Sequence, residues 1–282
     1  MTFSLTQRHP ELVSASLTNG VNFSSTLAII SKSVKNLFMK SADNKIWIYG
    51  KHAVTAALLN KNRKIHKLLI TSEAYKQITH ILQKNNYVYS FTTNQELDHL
   101  FKKASHQGLA LQTNSIFHND IKVISKKIKQ QQSLIIILDQ LTDIQNIGNI
   151  IRSAYAFGAD AIITPKNNSF SETSTLVKSS CGAIEYVPII FVTNLASIIK
   201  LLKNEGYWII GLDSKAKQYL HKFNFTPKTA LILGAEDSGL RPLTQKNCDF
   251  LLKITMNKSA ESINASNACA IAMYSYFNNF PF

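Results

Sequence analysis

The chain has 282 residues, of which 45% are hydrophobic and 17% charged, and its formal net charge is +14. That length supports a sizeable buried core in one large or two modest domains. The charge suits a polyanionic partner, although the many Lys, Asn and Ile residues also fit the codon bias of an A+T-rich genome.

Residues 1–44 show no sustained periodicity and are rich in Ser, Thr and Asn. They read as an N-terminal extension that is at least partly disordered. The start lacks a secretory signal, and no apolar run reaches the roughly 18–20 residues of a membrane span. Cys181, Cys248 and Cys269 are odd in number, far apart and form no C-x-x-C, and the eight His do not cluster. A reducing compartment, no metal and no membrane are therefore expected. The cytoplasm is the expected location; scattered basic residues near the start leave a presequence, and so the mitochondrial matrix, as the alternative.

Residues 45–114 read as a small α/β unit. Strands are predicted over 46–49 and 67–70, helices over 52–59 and 75–82, a short strand over 87–89, and a closing strand near 109–111. Residues 115–132 read as a polar linker, with Ile121, Ile124 and Ile128 on one face of a short helix. From 133 to 282 the pattern changes. The runs 134–138, 161–163, 208–210 and 230–233 are apolar without alternation, as in strands buried on both faces. Helices are predicted between them over 149–157, 174–180 and 195–204. A mostly parallel sheet with helices on both sides follows, and such sheets bind ligands at the carboxyl ends of their strands. The loops after Leu138, Ile210, Leu233 and Ile254 are the places for a site.

Three tracts carry candidate chemistry. In 138–152 a buried strand ends in a polar turn that opens a helix. Asn146 is placed to cap it, Ile147, Ile151 and Ala154 take the core side, and Gly148 and Arg152 share a face. An Arg near a helix start can hold a phosphate bidentately; a plain surface Arg is the alternative. In 231–240, Gly234 permits close backbone approach and Gly239 a left-handed turn. Glu236 and Asp237 argue against a triphosphate cradle, and no Gly-Lys-Ser/Thr or G-x-G-x-x-G exists. A small cofactor with a ribose and a cationic centre fits better than a dinucleotide, while an ordinary turn remains open. In 254–266, Ser262, Asn264 and Ser266 alternate just before an apolar helix that runs to about Phe277. They can cap it and can also orient a nucleotide.

Taken in order, the three tracts resemble the SpoU-type (TrmH-like) family of the SPOUT superfamily of RNA methyltransferases. Cys181-Gly182-Ala183, Val187-Pro188 and Thr193-Asn194-Leu195 are similar to the family as well. Tyr49 to Val54 and His106-Gln107-Gly108 resemble its substrate-binding domain, which is like ribosomal protein L30e. The closest subgroup is the 23S rRNA guanosine 2′-O-methyltransferases. The resemblance implies an L30e-like domain followed by a catalytic domain with a deep trefoil knot, working as a homodimer in which each site can borrow from its partner. It implies S-adenosylmethionine as methyl donor, held by Leu212, Gly234, Ile254 and Ile263 largely through backbone, with Met256 lining the adenine slot. It implies a catalytic group of Asn146, Arg152, Glu236, Ser262 and Asn264, acting on rRNA or, as the alternative, tRNA. Arg152 would clamp an RNA phosphate that helps accept the 2′-hydroxyl proton, Ser262 and Asn264 would position the ribose, and Ser266 would be the helix cap. A rival reading is a ribosome-assembly protein that keeps the fold without catalysis. The sequence departs from the family at Ile144 and Thr255, where Pro is usual, at Asn257-Lys258, and at Ile263 and Ala265, where Leu and Val are usual.

Overall fold

The computed structural model describes residues 45–282 apart from Lys103, Lys258 and Phe282. The extension expected over 1–44 lies outside the described residues.

The first part of the chain runs β1 (Lys45–Tyr49), α1 (Lys51–Leu59), β2 (Ile65–Ile70), α2 (Ser72–Asn85), β3 (Ser90–Phe91), α3 (Asn94–Phe101) and β4 (Leu109–Asn114). Its four strands form one sheet in the order β1-β4-β2-β3. Two details differ from expectation. Residues 87–89 are not a strand, because Asn86 ends α2 in the left-handed conformation and the Tyr87 hydroxyl then donates to the Leu58 carbonyl. Pairing with β2 begins later, at Ser90. Helix α3 was not anticipated, and its start is a reciprocal capping box between Thr93 and Glu96.

The segment 115–132 is less like a bare linker than its composition suggests. His118 exchanges backbone hydrogen bonds with Ile189 and Phe191. Ile124 and Ile128, on a 3-10 turn and the short α4 (Ser125–Ile128), are buried against the second sheet.

That sheet contains β5 (Ser133–Asp139), β6 (Ala161–Pro165), β7 (Ile189–Val192), β8 (Trp208–Leu212), β9 (Gln218–Tyr219), β10 (Lys228–Gly234) and β11 (Phe250–Lys253). The helices are α5 (Ile144–Ala156), α6 (Ser174–Ser179), α7 (Leu195–Asn204), α8 (Pro242–Asn247) and α9 (Ala265–Asn279). The strand order is β7-β6-β5-β10-β8-β11-β9, and every pairing is parallel. The unbroken apolar runs have a direct cause. Leu134, Ile136 and Leu138 of β5 face the layer built by α5, α6 and α9, while Ile135 and Ile137 face the layer with α4 and α7. Both faces are dry, so alternation disappears. The later strand β11 is inserted between β8 and β9, two elements that precede it in the chain.

The first layer is continuous with the core of the front unit, where Ile48, Val54, Leu68 and Ile70 belong to the same buried cluster as Ile147 and Ile184. Gly182, at φ +84°, brings the second part of the chain close to α1; a Cβ there would stand 2.6 Å from that of Ala56. Beside this contact lies a buried ionic cluster. The Arg63 guanidinium meets Glu172 and Glu185 at 2.6 Å each, with both carboxylates and the guanidinium side chain essentially inaccessible. Arg63 also donates to the Asn114 carbonyl, Asn60 donates to Glu185, and Glu172 accepts from Ser115 Oγ and the Ile116 amide. Burial opposes the charge of Arg63, but the Glu185 hydrogen bonds and the two carboxylate charges outweigh it and hold its pKa above the usual value.

Removing one member of a buried ion cluster strands the others. Arg63→Ala should therefore lower unfolding stability by about 3–5 kcal/mol, read as a lower urea midpoint. A loss under about 1 kcal/mol would mean that water reaches the two carboxylates and that the cluster does not hold the two parts together.

Candidate active site

The carboxyl ends of β8, β10 and β11 and the segment before α9 surround a cavity of about 510 Å³, within the roughly 300–1,000 Å³ of small-molecule sites. Leu212, Gly234, Ile254, Met256 and Ile263 all line it, and so do Glu236, Ser262 and Asn264. Leu233, Leu252 and Ala268 add apolar wall; Asp213, Lys215 and Lys253 add charge.

The wall after β10 is a tight loop. Ala235 and Gly239 exchange backbone hydrogen bonds, and Gly239 has φ +67°. A Cβ on Gly234 would lie 2.1–2.3 Å from the backbone of Gly239 and Leu240, which has no room to move aside. The loop therefore needs glycine at Gly234, and its tip carries Glu236. A clamp absent from the sequence reading fixes this loop to β5. Arg241 donates to Asp139 at 2.7 Å through Nε, and its Nη2 meets the same carboxylate at 2.5 Å. Asp139 is fully buried. Its place at the end of an apolar run was a usable signal for a paired acid.

Asn146 is not the cap of α5. Asp143 caps it, accepting from the Asn146 amide at 2.7 Å, so the helix starts at Ile144 rather than near 149. The Asn146 side chain is left free to turn toward the cavity wall, where its Nδ2 donates to Glu236. Its Oδ1 accepts from Asn264 Nδ2 at 2.7 Å. Asn264 in turn caps α9, its Oδ1 accepting from the Ser266 amide, Ser266 Oγ and the Asn267 amide. Ser266 is thus buried inside the first turn, and the cap expected there is Asn264.

The polarity of this chain follows from its end. Two backbone N–H groups need an acceptor, so Asn264 presents its oxygen to them and its amide nitrogen outward. Asn146 must then offer oxygen to Asn264 and nitrogen to the Glu236 carboxylate. Three residues far apart in sequence are joined, with a donor facing an acceptor at each link.

Arg152 is not brought to this group. It is exposed on α5, lines no part of the cavity, and makes no hydrogen bond or ion pair among the described residues. Gly148, expected on its face, is instead buried against Ser179 of α6. Ile147, Ile151 and Ala154 are fully buried, as their spacing indicated. None of Cys181, Cys248 and Cys269 lines the cavity. Burial pushes the Cys248 thiol up to about 12 and raises Cys269 as well. Among the described residues no group of three or more His, Cys, Asp and Glu could hold a metal ion, and no helix is long and apolar enough to cross a membrane.

Residues 133–274 match the SpoU rRNA Methylase family, and residues 47–117 match the family described as RNA 2′-O ribose methyltransferase substrate binding. A Bacillus subtilis chain described as a TrmH family tRNA/rRNA methyltransferase is 32% identical over 237 residues, 82% of this chain and 94% of that one. A Synechocystis chain described as an uncharacterized tRNA/rRNA methyltransferase is 35% identical over 237 residues; this chain spans 62% of its length. Among solved structures, the SpoU methyltransferase AviRb from Streptomyces viridochromogenes, in complex with AdoMet, aligns with TM-score 0.72 and 22% identity, covering 83% of this chain and 90% of that one. An AdoMet-bound rRNA methyltransferase from Sinorhizobium meliloti aligns with TM-score 0.72 and 16% identity, covering 93% and 98%. At those identities the structures show a shared fold. The chain belongs to the SpoU rRNA methylase family, with relatives among TrmH family tRNA/rRNA methyltransferases.

The double role of Asn264 can be separated. Asn264→Ala should cost about 1 kcal/mol through the lost cap. Asn264→Asp keeps an acceptor and adds a charge that favours a helix start, so its stability should stay within about 0.5 kcal/mol of wild type. Equal urea midpoints for the two variants would show that the contact to Asn146, not the cap, carries the contribution of Asn264.

Proposed function

We propose that this protein transfers a methyl group from S-adenosylmethionine to a ribose 2′-hydroxyl of RNA, most specifically a guanosine of large-subunit (23S-type) rRNA. The observation that carries the reading is the joining, through the Asn146 side chain, of Glu236 and Asn264, which line one cavity whose walls also include Leu212, Gly234, Ile254, Met256 and Ile263. The residue types fit the cofactor. Aliphatic side chains and Met256 suit the faces of an adenine, while Glu236 and Asp213 complement a cationic centre. When bound, S-adenosylmethionine supplies a methyl on a positively charged sulfur.

The chain's own residues position the nucleophile. Asn264 and Ser262 hold the ribose, and the Asn146 amide fixes both Asn264 and Glu236. Arg152 clamps the adjacent phosphate, which helps accept the hydroxyl proton. Orientation and preorganised charge then provide most of the rate. Because Arg152 stands away from the cavity of its own chain, it serves the cavity of a second copy in a homodimer. Exposed Tyr155 on α5, with Ile271 and Tyr274 on α9, supports such an interface near Arg152. The insertion of β11 between β8 and β9 supports the knotted reading of the catalytic part.

Residues 45–114 would act as the RNA substrate-binding domain, 115–132 as the connection and 133–282 as the methyltransferase domain. The match over 47–117 supports this, as do ten Lys and Arg against three Asp and Glu in 45–114. A tRNA substrate is the second reading, supported by the tRNA/rRNA description of the relatives. The bacterial relatives fit a cytoplasmic location.

Mapping 2′-O-methyl sites in rRNA and tRNA with and without the gene tests the reaction and selects the substrate; an unchanged map would sink the enzymatic reading. Arg152→Ala should lower turnover by about 100-fold or more with S-adenosylmethionine affinity unchanged. Near-wild-type turnover in saturating RNA would remove Arg152 from the site. Mixing Arg152→Ala chains with Glu236→Ala chains should restore partial activity, and no recovery would reject the shared site.

A further inference from the structure

The connection from β8 to β10 has a charge pattern that the site described above does not use. Residues 215–222 contain Lys215, Lys217, His221 and Lys222 and no acid. The preceding Asp213 is taken up in the turn, accepting from the Lys215 amide at 2.8 Å and from Gln245 at 3.3 Å. The segment includes β9, which forms the outer edge of the large sheet.

Tyr219 of β9 gathers these cations. Tyr219 is 38% exposed. Lys253 Nζ stands 4.8 Å from the ring centroid and Lys222 Nζ 5.9 Å. Strand pairing sets Lys253 opposite Tyr219, and the electron-rich ring offsets part of the repulsion between the two ammonium groups. None of Lys215, Lys217, Lys222 and Lys253 pairs with a carboxylate among the described residues. The result is a concentration of positive charge with an exposed aromatic anchor and no carboxylate in ion-pair contact with it among the described residues.

This patch is continuous with the wall of the cavity. Lys253 and Lys215 both line the cavity. Thr255, between the lining residues Ile254 and Met256, bonds His221 Nδ1 through Oγ1 at 2.9 Å. We infer that Tyr219, with Lys222 and Lys253, forms a docking site for the phosphodiester backbone of a single-stranded RNA segment next to the nucleotide that enters the cavity. Paired cations with no carboxylate in contact match a phosphate backbone, and proximity to the rim limits the bound phosphates to those flanking the target. The inference rests on the RNA methyltransferase reading.

Full-length protein is titrated against a fluorescein-labelled single-stranded oligouridylate over a range of salt, and S-adenosylmethionine affinity is measured in parallel by calorimetry. Tyr219→Leu, which keeps an apolar side chain but removes the ring, should weaken RNA binding about tenfold. Tyr219→Phe should restore it to within about threefold of wild type. Lys222→Ala should reduce the slope of log affinity against log salt by about 0.7. Affinity for S-adenosylmethionine should stay within about twofold in all three, since neither Tyr219 nor Lys222 lines the cavity. Unchanged RNA affinity in Tyr219→Leu and Lys222→Ala overturns the docking site while leaving the enzymatic reading intact. A fall in S-adenosylmethionine affinity with RNA binding unchanged overturns it too, and assigns the cations to the cofactor's carboxylate. Absence of RNA binding by the wild-type protein overturns the RNA methyltransferase reading itself.

Discussion

The amide of Asn146 is the constraint on which the candidate site depends. It is the middle of a hydrogen-bonded chain that begins at the N-terminus of α9 and ends at the carboxylate of Glu236. Each link has one donor and one acceptor, and the backbone N–H groups of α9 set the direction for all of them. A side-chain amide can meet such a demand because it carries both functions on one rigid plane. An Asp at the position of Asn146 would place a second carboxylate against Glu236 and lose the donor.

The rest of the fold can be understood as what holds those three residues in place. Asn146 is fixed by the Asp143 cap and by a helix whose Ile147, Ile150 and Ile151 are fully buried. Glu236 is fixed by the Ala235–Gly239 loop, which Arg241 ties to Asp139 at the end of β5. Asn264 is fixed by its own capping of α9, whose Cys269, Ala272 and Met273 are buried in the same layer as α5. Polar groups at the strand ends thus inherit their precision from apolar contacts deeper in the sheet.

A second ionic device acts at larger scale. The Arg63, Glu172 and Glu185 cluster joins the front unit to the catalytic part where a hydrophobic core already runs through both. Apolar contacts can slide, whereas a buried guanidinium with a fork of donors accepts few arrangements. The cluster therefore adds registration to an interface that burial already favours.

Much of this was legible in the residues. Both-face burial made the strands of the parallel sheet readable as unbroken apolar runs, and helix α7 was read at its observed bounds, Leu195–Asn204. The family resemblance picked out Leu212, Gly234, Glu236, Ile254, Met256, Ser262, Ile263 and Asn264, which share one cavity. Local periodicity could not give short elements such as β7 and β9, because four or two residues carry too little pattern. Nor could it choose among Asn146, Asp143, Ser266 and Asn264 as caps, since each type can cap and the choice depends on what else each side chain can reach. The partners of Arg63 and Asp139 lie more than a hundred residues away in sequence, and buried charge is matched only when the chain is folded. The sequence by itself determined the family, the parallel sheet and the residue types of the site. Tertiary structure decided which of those residues meet, because hydrogen-bond geometry and burial are properties of positions in space.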